Sequence, residues 1–149
     1  MNEEQKRLAL QADFVCFDTD TGPVNPAKGV MVHPRAFGAF PRVLAKYVRE
    51  EKRLTLEKAI RKMTKLPAII LRLDEWGTIA PGKMADLVIF DPDKVQDKAT
   101  FKNPLQYSEG IDCVIVSGQL ILEEGRITGA LPGKVIRHNR KPSDSRYPL

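Results

Sequence analysis

Two aspartates, Asp18 and Asp20, follow directly on the short apolar run Phe14-Val15-Cys16-Phe17 and open a stretch rich in turn formers. Carboxylates so placed have two uses. They accept a proton from a reacting water or help hold a metal, or they cap a loop by accepting hydrogen bonds from nearby backbone amides. Metal-assisted chemistry asks for more, because a catalytic zinc takes about three protein ligands and keeps one position open. The two histidines, His33 and His138, lie far apart without paired ligand spacing, and both read as non-ligands. His33 sits in a loop that could line a pocket, and His138 in a basic tail. Cys16 and Cys113 each sit in an apolar run and read as buried, reduced thiols in strands rather than as a disulfide framework. Asp86 stands just before Leu87-Val88-Ile89-Phe90 and is expected to be a strand-entry residue whose carboxylate accepts from backbone amides.

These residues need elements to position them. Asn2 with Glu3-Glu4 behind it predicts an N-capped helix through Leu8, Leu10 and Gln11. Phe14 to Phe17 reads as a strand covered on both faces, and Gly22, Pro23, Pro26 and Gly29 mark a long loop after it. A helix, a buried strand and a polar loop form the pattern of an α/β barrel, whose chemistry sits on such loops. A helix is predicted from Pro41 with Val43, Leu44, Tyr47 and Val48 at helical spacing. A second is capped by Thr55, and a third from Pro67 turns Ile69, Ile70 and Leu73 inward. The period then changes to strands: Leu87–Phe90, Cys113–Val116, Gln119–Leu122 and the stretch after Glu124-Gly125, with Val135-Ile136 as one more. Ser117-Gly118 is a two-residue hairpin signal. So few short strands make one layer with open edges, and the sequence reads like a piece of something larger.

With 42% apolar and 29% charged residues, the 149-residue chain has the composition of a soluble globular protein, long enough for a sizeable core. No apolar run reaches the roughly 18 residues that span a bilayer, and no signal core is evident, so no membrane partner and a cytoplasmic location are expected. The net charge of +5 collects in the tail at Lys134, Arg137, Arg140, Lys141 and Arg146, without interleaved aromatics, which argues against a nucleic-acid partner.

Three segments carry a family resemblance. They are Val32-His33-Pro34-Arg35-Ala36-Phe37-Gly38-Ala39-Phe40-Pro41-Arg42-Val43-Leu44, then Leu56-Glu57-Lys58-Ala59-Ile60-Arg61-Lys62-Met63-Thr64, and Gly77 to Pro92 with its Pro-Gly-Lys-Met-Ala-Asp core. The chain resembles the D-aminoacylases (N-acyl-D-amino-acid deacylases) of the amidohydrolase superfamily from about residue 14 to about residue 137, as their C-terminal part.

The resemblance implies an α/β fragment. Residues 1–75 would be the last strand and helices of a TIM-like barrel, and residues 76–149 a small antiparallel β-sandwich portion with the basic tail. In the family, an aspartate at the end of the eighth strand activates water beside a zinc ion. Asp20 matches that aspartate best, with Asp18 as the alternative. Asp20 would touch a metal only if the rest of the site came from elsewhere, because the family's His-x-His pair and further histidines have no counterpart here. Arg35 and Arg42 could hold the free carboxylate of an N-acyl-D-amino acid bidentately, or pair with a neighbouring acid. The implied reaction is amide hydrolysis of N-acyl-D-amino acids. The isolated chain is expected to bind no zinc and to be inactive, unless a homo-oligomer or a second polypeptide completes the barrel.

Overall fold

A computed structural model describes residues 2–22, 24–25 and 32–136. Helix α1 (Glu3–Gln11) starts as expected, with the Asn2 side chain accepting from the Gln5 amide while the Gln5 side chain reaches back to the Asn2 amide. The next helix begins earlier than expected. α2 (Arg35–Arg42) carries Pro41 inside it and runs on as a π-helical segment, Val43–Glu50. Proline removes the N–H that would bond the Phe37 carbonyl. That carbonyl is satisfied from outside the helix, by the Ser108 hydroxyl at 2.9 Å.

α3 (Leu56–Met63) is capped by Thr55, whose side chain accepts from the Lys58 amide. α4 (Lys65–Ile70) starts two residues before Pro67, and it buries Leu66 and Ala68 instead of the expected stripe. Ile69 and Ile70 are 53% and 55% exposed, because the helix is too short to present a full apolar face.

The strands β1 (Leu87–Phe90), β2 (Ile111–Val116), β3 (Gln119–Glu123) and β4 (Arg126–Ile127) form one antiparallel sheet in sequence order. Both expected hairpin turns form, and all four central residues adopt positive φ: Ser117 49°, Gly118 76°, Glu124 48° and Gly125 75°. Left-handed turns of this kind match the twist of the strands they join. Val135-Ile136 adds no strand. With four strands of two to six residues and no second sheet among the described residues, β1 is left as an open edge.

The core lies on the helical side, where Leu10, Leu44, Tyr47, Leu54 and Ala59 pack around Val95, with Phe90 and Ile111 joining from the sheet. Arg49 ties the two parts, donating to the carbonyls of Pro92 and Val95 and to the Gln96 side chain at 2.8 to 3.1 Å. Between the helices and the sheet an apolar crevice of about 750 Å³ remains, lined among others by Phe40, Leu44, Met63, Phe90 and Ile127. No helix among the described residues is long and apolar enough to cross a membrane.

Candidate active site

The run expected to be a buried strand is not one. Residues 15–17 form no ladder, and Phe14 is 81% exposed. A strand exists only by pairing, and among the described residues no other strand lies beside this run. Lys62 holds the run in place. The backbone carbonyl of Lys62 accepts from the Phe17 amide at 3.1 Å, and its ammonium donates to the carbonyls of Ala12 and Val15. Cys16 is therefore a half-buried thiol outside any strand, whereas Cys113 lies in β2, also half-buried, and both are free.

Beyond the run the chain turns outward. The Asp18 carboxylate accepts from the Thr19 amide at 2.6 Å, so it caps its own turn. Asp20 adopts φ 48°, a left-handed conformation that aspartate tolerates. Its carboxylate reaches Arg35 at the start of α2, 2.9 Å from the guanidinium, with the Asp20 side chain 80% exposed. The two aspartates thus part company: one is spent on a local turn, and the other faces solvent with a cation beside it.

The other basic and aromatic groups are arranged around α2. His33 accepts from the Arg35 amide through Nδ1 at 3.1 Å, and its ring stands edge-on to Phe101 at 5.0 Å. An Nδ1 used this way caps the helix start and is not free to hold an ion. Phe37 meets Tyr107 edge to face at 5.4 Å. Arg42, like Arg35 with Asp20, takes the structural alternative and pairs with an acid, Asp97, at 3.1 Å. Asp97 is nearly buried there, packed so tightly on α2 that a Cβ at Gly38 would come within 2.9 Å of it. Asp86 behaves as a strand-entry residue, its two oxygens accepting from the Ser117 amide and the Trp76 indole. His138 lies outside the described residues, as do Pro23, Pro26 and Gly29 of the expected loop.

Zinc does not fit the donors that are described. No three side chains of histidine, cysteine, aspartate or glutamate converge among the described residues. Asp20 has a guanidinium beside it where a metal site would need further ligands.

Sequence reasoning missed Lys62, although a signal was present. On α3 it lies one turn beyond Ala59, which is 0% exposed, so a charged residue sits on the apolar face.

Known proteins match this chain in sequence and in fold. The sequence profile described as the amidohydrolase family matches residues 6–122. An N-acyl-D-glutamate deacylase of Alcaligenes xylosoxydans xylosoxydans is 40% identical over 139 residues, which is 93% of this chain and 28% of that protein. A crystal structure of D-aminoacylase, said to define a novel subset of amidohydrolases, superposes with a TM-score of 0.80 at 38% identity, covering 87% of this chain and 27% of that one. An N-acyl-D-glutamate deacylase from Bordetella bronchiseptica, solved with zinc and a phosphonate that mimics the tetrahedral intermediate, superposes with a TM-score of 0.74 at 37% identity. The chain therefore spans little more than a quarter of the length of these relatives. A profile match over most of its length and a shared fold at this identity lead to one conclusion: the chain belongs to the amidohydrolase family, beside the D-aminoacylases it resembles.

Proposed function

We propose that this chain carries the aspartate-bearing part of an N-acyl-D-amino-acid deacylase and takes part in hydrolysis only when further polypeptide completes the site. Residues 1–75 would close a TIM-like barrel and residues 76–149 would form part of its β-sandwich. The observation that carries the reading is the exposed pair of Asp20 and Arg35, 2.9 Å apart.

The substrate of such an enzyme has an amide to be cleaved and a free carboxylate. Arg35 is set to leave Asp20 for that carboxylate, which a guanidinium can grip through two parallel hydrogen bonds. Asp20, released, takes a proton from the water that attacks the amide carbonyl and returns it to the leaving nitrogen. Asp18, committed to the Thr19 amide, is less available for this role. The metal ligands would come from polypeptide beyond the residues described, so no step is assigned to a metal on this chain.

The test is complementation: the chain expressed with a relative's deacylase from which the matched segment has been removed. Metal-dependent hydrolysis of N-acetyl-D-amino acids is expected, falling roughly 10²-fold or more in Asp20→Asn and little in Asp18→Asn. Absence of turnover in an assembled complex, or the opposite ranking of the two aspartates, would overturn the reading.

The open β1 edge favours a second reading, a non-catalytic chain that associates with itself. Val88 and Ile89 on that strand are each 55% exposed, and unpaired edges recruit partners. Mass that rises with concentration in light scattering, without any gain of hydrolysis on complementation, would favour it.

A further inference from the structure

Lys62 is the buried charged residue of the described structure, 2% exposed. An ammonium taken out of water is costly unless its donors are satisfied. Here they are satisfied by the backbone of one segment. Nζ donates to the carbonyls of Ala12 and Val15, the latter at 2.9 Å, and stands 5.7 Å from the centre of the Phe17 ring. The carbonyl of the same residue accepts from the Phe17 amide. Among the described residues, Lys62 makes no ion pair, and every backbone hydrogen bond between residues 13–19 and the fold beyond residue 12 ends on it.

The segment it grips ends just before the two aspartates. Within this chain, among the described residues, it has no ladder to fix its height or direction, so the place where Asp20 emerges depends on what α3 holds. We infer that Lys62 is a positioning residue for Asp20, clamping residues 12–17 so that the carboxylate emerges beside Arg35. The inference rests on the reading above only in giving Asp20 its role; the clamp itself is independent of turnover. Burial draws the Lys62 ammonium below the ordinary lysine range, with Asp13 acting in the other direction. The clamp does not depend on the charge of the group, because a neutral amine also has donors for two carbonyls.

The experiment uses the chain by itself. Lys62→Met keeps the apolar stem and removes the donors, and Lys62→Arg restores them. In Lys62→Met, amide exchange of residues 15–20 is expected to quicken on the order of tenfold, while β2, β3 and the interior of α3 keep their protection. Nuclear Overhauser contacts between the side chains of Asp20 and Arg35 should vanish, and Lys62→Arg should bring both signals back. Unchanged exchange at residues 15–20, or a loss spread evenly over the fold, would overturn the positioning role. Should Lys62→Met fail to fold, Lys62→Gln, which keeps one donor group, is read in the same way. In the complemented enzyme the same variant should lower kcat while KM holds. If complementation yields no turnover at all, the exchange and contact measurements still decide the role of Lys62.

Discussion

The hydroxyl of Ser108 donates to the carbonyl of Phe37 at 2.9 Å, and Pro41 stands where that carbonyl's helical partner would be. A bond supplied from the strand-bearing half of the chain thus repairs a helix that its own sequence breaks. Leaving a partly buried carbonyl unsatisfied carries a cost, so Ser108→Ala should destabilise by about 1 kcal/mol in urea unfolding. The cost should shrink in a Pro41→Ala background, where residue 41 regains its N–H. Equal losses in both backgrounds would refute the repair.

Asp86 joins the start of β1 to the first hairpin, accepting from the Ser117 amide at 2.7 Å and from the Trp76 indole at 2.9 Å. Both bonds are charge-assisted but open to solvent, so Asp86→Ala should cost about 1 to 2 kcal/mol. Trp76 is the one tryptophan of the sequence, which makes the effect visible. Acrylamide should quench its fluorescence more strongly in the variant. Unaltered quenching would mean that the indole is held by something else.

α1 is docked by charge. Glu3 bonds Lys6 within its helix and, across to the π-helical segment, Lys46 at 3.1 Å and the Tyr47 hydroxyl at 3.3 Å. Arg7 meets Glu51 at 3.1 Å. The cations, Lys6 first and Lys46 next, hold the Glu3 carboxyl at about 2 against an ordinary 4.5. The folded state therefore keeps its charge longer than the unfolded chain. That contribution is complete above pH 4.5 and is lost as the pH falls toward 2. Glu51, lowered chiefly by Arg7, acts in the same direction. Amide protection in α1 should fall across this window, sooner in high salt, and Glu3→Gln should flatten the response. A pH-independent α1 would show that apolar packing through Leu10 suffices.

Two glycines separate backbone conformation from crowding. Gly118 and Gly110 share φ of 76°. An added Cβ meets nothing within 4 Å at Gly118, yet comes within 2.4 Å of the Val95 amide nitrogen at Gly110. Gly118→Ala should cost about 1 kcal/mol for the left-handed conformation alone, and Gly110→Ala about 3 kcal/mol or more. Chemical denaturation of the two variants tests the order, and similar losses would show that the loop around Val95 yields.

Local chemistry was legible without the fold. The Asn2 and Thr55 caps, the Ser117-Gly118 and Glu124-Gly125 turns and the role of Asp86 all follow from side chains acting on backbone a few residues away or on the strand they begin. So was the family, because its quoted segments lie along continuous stretches of chain. What depended on distant partners was not legible. Phe14 to Phe17 has the composition of a buried strand, but a strand is made by its neighbour, and here the neighbour is the side chain of Lys62. Pro41 looked like a helix start because the hydroxyl that lets it sit inside a helix comes from Ser108. Ile69 and Ile70 looked like core because their spacing says nothing about whether anything covers them. Asp18 and Asp20 differ little as sequence. The tertiary structure separated them, turning one onto its own loop and the other toward Arg35, because only folding brings a guanidinium from the next helix to the second carboxylate.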